Sequence, residues 1–128
     1  MEGMFRYFAG NSKEVILDGI KNFDYSNVTN FRDMFCYCIR NAENTIDMGT
    51  MDIYATDISY FIHEFRAIKA VINLHVKPTN FTSAINDTAR GEGREIVINY
   101  TSAVDNIDEI IAEAYEQDNV IKGSLIED

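Results

Sequence analysis

Cys36 and Cys38 stand one residue apart, and this C-x-C pair is the nearest the sequence comes to a metal-binding motif. Thiolates hold zinc well, but a closed zinc site needs two further ligands and usually the C-x2-C knuckle spacing. A disulfide across so short a loop would be strained, so both residues are expected as free thiols. His63 and His75 fall in different predicted elements and neither belongs to an H-E-x-x-H motif. Ser, His and Asp are all present, yet no G-x-S-x-G elbow presents a nucleophile. Arg90-Gly91-Glu92-Gly93-Arg94 has the glycines of a phosphate cradle but lacks the Lys-Ser or Lys-Thr of a P-loop, and it leads into a strand. It reads as a turn. Asp105, Asp108, Glu109, Glu113 and Glu116 lie on one side of a predicted helix and read as its solvated face rather than as an acid–base pair. The expectation is a chain that is not an enzyme and takes no metal and no cofactor.

Charge narrows the partners. With 21 acidic against 11 basic residues the net charge is -10, the reverse of the clustered Lys and Arg that a phosphate backbone requires. Nucleic acid is not expected as a partner; other proteins are. The apolar stretch Ala67 to Val76 is broken by Lys69, Asn73 and His75 and falls far short of the roughly 20 apolar residues that span a bilayer, so no membrane partner is expected. The N-terminal residues lack the apolar core of a secretory signal, so secretion by a signal peptide is not expected.

The elements that position these residues follow a repeat. Sliding the chain by thirty positions lays Met4-Phe5 on Met34-Phe35, Tyr7 on Tyr37, Asn11 on Asn41, Ile16 on Ile46, Gly19 on Gly49 and Phe31 on Phe61. A fixed period in this range is the mark of stacked units that cannot bury their apolar faces alone. Within each unit Val28, Phe31, Phe35 and Cys38, then Ile58, Phe61, Phe65 and Ile68, have the spacing of a short helix. Strand-like runs at Glu14 to Asp18, Asn44 to Met48, Ala70 to Val76 and Glu95 to Tyr100 are anchored on Ile16, Ile46, Ile72 and Ile98, spaced by 30, 26 and 26 residues. The chain from 101 to 128 adds an amphipathic helix over 102 to 116, with Ser102 as N-cap, and a last short strand from Asn119 to Ile126.

The segment Asn22-Phe23-Asp24-Tyr25-Ser26-Asn27-Val28-Thr29-Asn30-Phe31, continuing Arg32-Asp33-Met34-Phe35-Cys36-Tyr37-Cys38, resembles the BspA-type leucine-rich repeat, whose pattern runs approximately N-F-D-T-S-N-V-T-N-M-x-x-M-F-x-x-C. Tyr25 replaces Thr and Phe31 replaces Met, and the copy from Ile53 to Ile68 is degenerate. The resemblance implies an α/β fold: a short leucine-rich-repeat solenoid over 1 to 100, with a parallel sheet and helical turns, closed by the C-terminal helix, all as one domain. It implies that Cys38 fills a buried position and that no catalytic residue is carried over.

Function is then expected in protein–protein contacts, with structural proteins or further copies of the chain. Such repeats occur in bacterial surface adhesins, in protist proteins and in phage or prophage structural proteins, and a chain without a leader is expected to fit a virion component of tail, baseplate, neck or head, assembled in the host cytoplasm. The alternative is an acidic cytoplasmic inhibitor that mimics DNA towards a host defence enzyme. If Ile16, Ile46, Ile72 and Ile98 point inward, the outer strand face carries Leu17, Asp47, Asn73 and Asn99, with Thr45, Val71, His75 and Val97 beside them. That face is the expected interface.

Overall fold

Alternation of apolar and polar residues sets the strands. The computed structural model describes residues 3–5, 8, 12–17, 19–39 and 41–127. Four strands, β1 (Ile46–Ile53), β2 (Ile68–Leu74), β3 (Glu95–Tyr100) and β4 (Val120–Leu125), pair side by side in chain order, all parallel. Parallel neighbours require a crossover between strands, and here each crossover lies on the same side, so the chain winds through about three turns of a solenoid. Ile68, Ala70, Ile72 and Leu74 of β2 and Ile96 and Ile98 of β3 point into the core and are buried.

β1 departs from strict alternation. The register shifts between Asp47 and Gly49, where Gly49 adopts φ +67° and its N–H donates to the Asp47 carboxylate at 2.8 Å. A one-residue bulge exchanges the two faces, so Met51 rather than Thr50 turns inward beside Ile72. Ile72 and Ile98 are direct partners as the spacing predicts, but Ile46 pairs with Ile68.

Ile16 is a clearer correction. It lies in no strand, is 71% exposed, and Val15 takes the inward position instead. The Asn44 side chain holds this segment: Val15 N–H donates to Asn44 Oδ1 at 3.0 Å, and Asn44 Nδ2 donates to the Val15 carbonyl at 2.6 Å. A side-chain amide carries the same donor and acceptor as a peptide, so it substitutes for a strand neighbour at a single point.

The wall opposite the sheet is made of successive turns rather than the expected helices. From Phe31 onward, N–H groups alternate between local and inter-coil acceptors. Met34, Cys36 and Cys38 donate three residues back, to Phe31, Asp33 and Phe35, while Asp33, Phe35 and Tyr37 donate to Ser59, Phe61 and His63 of the next coil. An α-helix would satisfy every such group internally. Residues at positive φ, namely Asp33, Tyr37 and Ile39, then Tyr60 and Glu64, then Ser83, Asp87 and Ala89, turn the chain out of helical geometry. The apolar stripes are nonetheless inside, with Phe31, Phe35, Cys38, Ile58, Phe61, Phe65 and Ile68 all buried.

The thirty-residue period appears in the aromatic core. Phe5 stacks on Phe35 with ring centroids 5.1 Å apart, Phe31 meets Phe61 edge-on at 5.0 Å, and Phe35 lies 6.1 Å from Phe65.

At the C-terminal end the helix α1 spans Ile107–Ile111, shorter than the expected 102 to 116, and buries Ile107 and Ile110. Ser102 is exposed, and Asn106 stands at the N-cap without capping: its Nδ2 donates to the Pro78 carbonyl at 2.9 Å, and its Oδ1 accepts no bond from the helix. The last strand forms where the sequence places it. The Asp118 carboxylate holds the approach to it, accepting from the N–H groups of Asp87, Thr88 and Tyr115 and from Arg90 Nε at 2.7–3.1 Å.

Candidate functional site

The outward face of the sheet gathers most of the residues expected there, in three rows that cross the strands. In-register pairing places Asp47, Lys69 and Glu95 in one row of alternating charge. The next row is Thr50, Val71, Val97 and Ile121, three aliphatic side chains and a threonine methyl. The third row is Asp52, Asn73 and Asn99. Successive strands lie about 4.8 Å apart, so each row is a continuous line of chemistry.

The third row is a hydrogen-bonded ladder. Ser124 N–H donates to Asn99 Oδ1 at 2.8 Å, Asn99 Nδ2 to Asn73 Oδ1 at 3.0 Å, and Asn73 Nδ2 to Asp52 Oδ1 at 3.0 Å. Every rung uses a donor on one strand and an acceptor on the previous one, which fixes the side chains before anything binds. Gly123 is required beside it, because a Cβ there would lie 2.1 Å from Asn99 Oδ1 and 3.0 Å from the Ile98 carbonyl. His75 closes the ladder, its Nε2 at 2.8 Å from Asp52 Oδ1 and its ring stacked on Tyr54 at 4.4 Å. The hydrogen bonds from His75 and Asn73 hold the Asp52 carboxyl below the usual carboxylate range.

Thr45 lies just ahead of β1, and its Oγ1 accepts from Arg94 Nε at 3.3 Å. Leu17 is not on the face. It is partly buried against the core, because Val15 rather than Ile16 turns inward and reverses the parity of that segment. Sequence reasoning missed Thr50 and Asp52, which the bulge brings outward; Gly49 within an otherwise strand-like run was the available signal. It also missed Lys69, Glu95 and Ile121, the cross-strand partners of residues it named.

The other chemical candidates make the following contacts within the fold. Cys36 and Cys38 are free and buried, and burial pushes the Cys38 thiol up to about 12. Among the described residues no three His, Cys, Asp or Glu side chains gather as a metal-holding group. His63 Nδ1 meets Asn86 Oδ1 at 2.5 Å. Gly91 and Gly93 take positive φ in a turn that delivers Arg94. Arg94 lines an open hollow with Gly91, Gly93, Lys69 and Asp118, but its guanidinium is held by the fold, Nη2 donating to the carbonyls of Ala42, Glu43 and Asn44 at 3.0–3.4 Å. No helix among the described residues is long and apolar enough to cross a membrane.

The face can therefore offer an apolar strip between a charged row and a hydrogen-bonded amide row, with a shallow hollow between Thr50, Val71 and Val97. Comparison with family models, with curated proteins and with solved structures finds no match.

Proposed function

We propose that this chain is a non-catalytic structural or accessory protein of a phage or prophage virion, a leucine-rich-repeat solenoid that docks on other structural proteins or on copies of itself through the outer face of its sheet. The observation that carries the reading is the apolar row of Val71, Val97 and Ile121 between the two polar rows. An apolar centre with a polar rim is the usual composition of a protein interface, and the ladder through Asn73 and Asn99 supplies a rim whose geometry is set in advance. The BspA-type resemblance supports a binding or assembly role, and phage structural proteins are one of the settings in which such repeats occur.

The test replaces the apolar row without touching the ladder. Val71→Glu with Val97→Lys places opposite charges side by side on adjacent strands at half-buried positions, so that each charge has a partner across the pair. The doubly substituted chain should melt as the wild type does and fail to enter particles assembled in the source host, read by mass spectrometry of purified virions. Normal incorporation would remove the sheet face from the interface. Absence of the wild-type chain from particles, together with capture of a basic host enzyme, would replace the virion reading with that of an acidic inhibitor.

A further inference from the structure

The two margins of the sheet differ. Beside β1 residues 12–17 and 19–25 cover the first coil, with the short 3-10 turn Ile20–Asn22 so close to Gly49 that a Cβ there would lie 2.7 Å from Lys21 Cβ. β4 is the last strand in the order, and no strand flanks its far side among the described residues. Ile96 N–H donates to the Asn119 carbonyl at 2.9 Å. Main-chain groups alternate sides along a strand, so those of Val120 and Lys122 face away from β3.

Exposed edges are ordinarily blunted by lysine, proline or a cover. No proline lies in β4. Its one lysine, Lys122, is drawn off the edge, with Nζ 2.8 Å from Asp108 Oδ1 and 5.5 Å from the centre of the Tyr100 ring. Of its two exposed apolar side chains, Ile121 (45% exposed) lies on the outer face in the row of Val97, and Leu125 (63% exposed) lies on the opposite face in the row of Tyr100, because the register shift between Ile98 and Tyr100 reverses the parity.

The surroundings are acidic. Lys77 is paired with Asp105, Lys122 with Asp108, and Arg90 with Asp87 and Asp118. The cations at this end are thus engaged, while Glu109, Glu113, Glu116 and Glu127 have no ion-pair partner among the described residues. A second copy of this chain would bring a like-charged end to the same place.

We propose that β4 is an acceptor edge for an extended segment of another protein that alternates apolar and basic residues. The segment adds a fifth strand by main-chain hydrogen bonds at Val120 and Lys122, sets its apolar side chains beside Ile121 on the outer face, and turns its cations to the opposite face, the side of Leu125 and of the glutamates of the C-terminal end. Strand addition of this kind draws affinity from the backbone and selectivity from alternate side chains.

The probe is a fluorescein-labelled eight-residue peptide alternating Val and Lys, titrated into the full chain, with a Val/Glu peptide of equal length as control. The expected result is saturable anisotropy for the Val/Lys peptide, binding at least about tenfold tighter than Val/Glu, a difference of about 1.4 kcal/mol. Amide resonances of Val120 to Leu125 should shift on binding. Leu125→Lys should weaken the Val/Lys peptide by about tenfold while the melting temperature holds, since that side chain is mostly exposed. A second variant, Glu109→Lys with Glu116→Lys on exposed positions, should erase the preference between peptides. Equal binding of the two peptides, resonance shifts confined to other strands, or indifference to both variants would overturn the proposal. So would light scattering that shows two copies already joined through β4. The Val71→Glu, Val97→Lys chain should bind the peptide as the wild type does, so this edge and the proposed docking face fail or stand separately.

Discussion

The ring of Phe35 lies 6.1 Å from that of Phe65, one sequence repeat away, at an interplanar angle of 43°. Both are buried, at 2% and 0% exposure. Each ring fills space between coils that no neighbouring side chain can reclaim. Replacing either with Ala should cost about 3–5 kcal/mol, measured by chemical denaturation, and a neutral result at either position would contradict the aromatic stacking.

Tyr25 gives the opposite expectation. It stands where the resembled repeat has Thr, is buried to 2% exposure, and its hydroxyl has no hydrogen-bond partner among the described residues. Burial pushes its phenol up to about 12. A buried unpaired polar group costs about 1–3 kcal/mol, so Tyr25→Phe should keep the ring contact with Phe31 and raise the melting temperature. A drop would show that the hydroxyl has a partner in solution.

Asp87 links stability to pH. Burial alone would raise its carboxyl, but the hydrogen bond from Arg66 and the charges of Arg66 and Arg90 more than offset this and hold it below the ordinary carboxylate value. A carboxyl depressed in the folded state contributes stability that is complete above the unfolded value, about 3.9. That contribution is lost as pH falls through the lower folded value. Asp87→Asn should therefore be less stable than wild type at pH 6, and the difference should shrink in melts taken below about pH 4. A gap that is constant across this range would assign the loss to packing.

The cysteines should be inert in the native state. Only the thiolate attacks disulfide reagents, and burial raises the Cys38 thiol to about 12. An aromatic disulfide reagent at pH 8 should titrate both thiols at once in denaturant and only slowly in native buffer; a fast native equivalent would mean that the turn wall opens.

Much of the architecture was legible because burial leaves a mark on composition. Ile46, Ile72 and Ile98 turn inward as the spacing implies, and the stripe through Phe31, Phe35 and Cys38 is core. The conformation of that stripe was not legible. Successive turns linked between coils place apolar residues inward at separations that also suit a helix, and the choice between them depends on long-range acceptors such as the Phe61 carbonyl. The interface rows were half visible. Asn73 and Asn99 lie 26 residues apart, but Asp52 precedes Asn73 by only 21, because the bulge and a shorter connection change the period. Leu17 was misplaced by a one-residue shift that only the Asn44 contact decides.

Arg94 has a thermodynamic consequence. In a solenoid each coil ordinarily couples only to its neighbours, so unfolding can begin at one end and advance stepwise. The contacts of this guanidinium with the carbonyls of Ala42, Glu43 and Asn44 span 50 to 52 residues and join the start of β3 to the approach to β1, passing over β2. The β1 and β3 coils cannot separate without breaking these bonds, so two coils that are not neighbours are coupled directly. A coupling of this kind reaches past the nearest neighbour and works against stepwise loss of the coils it joins.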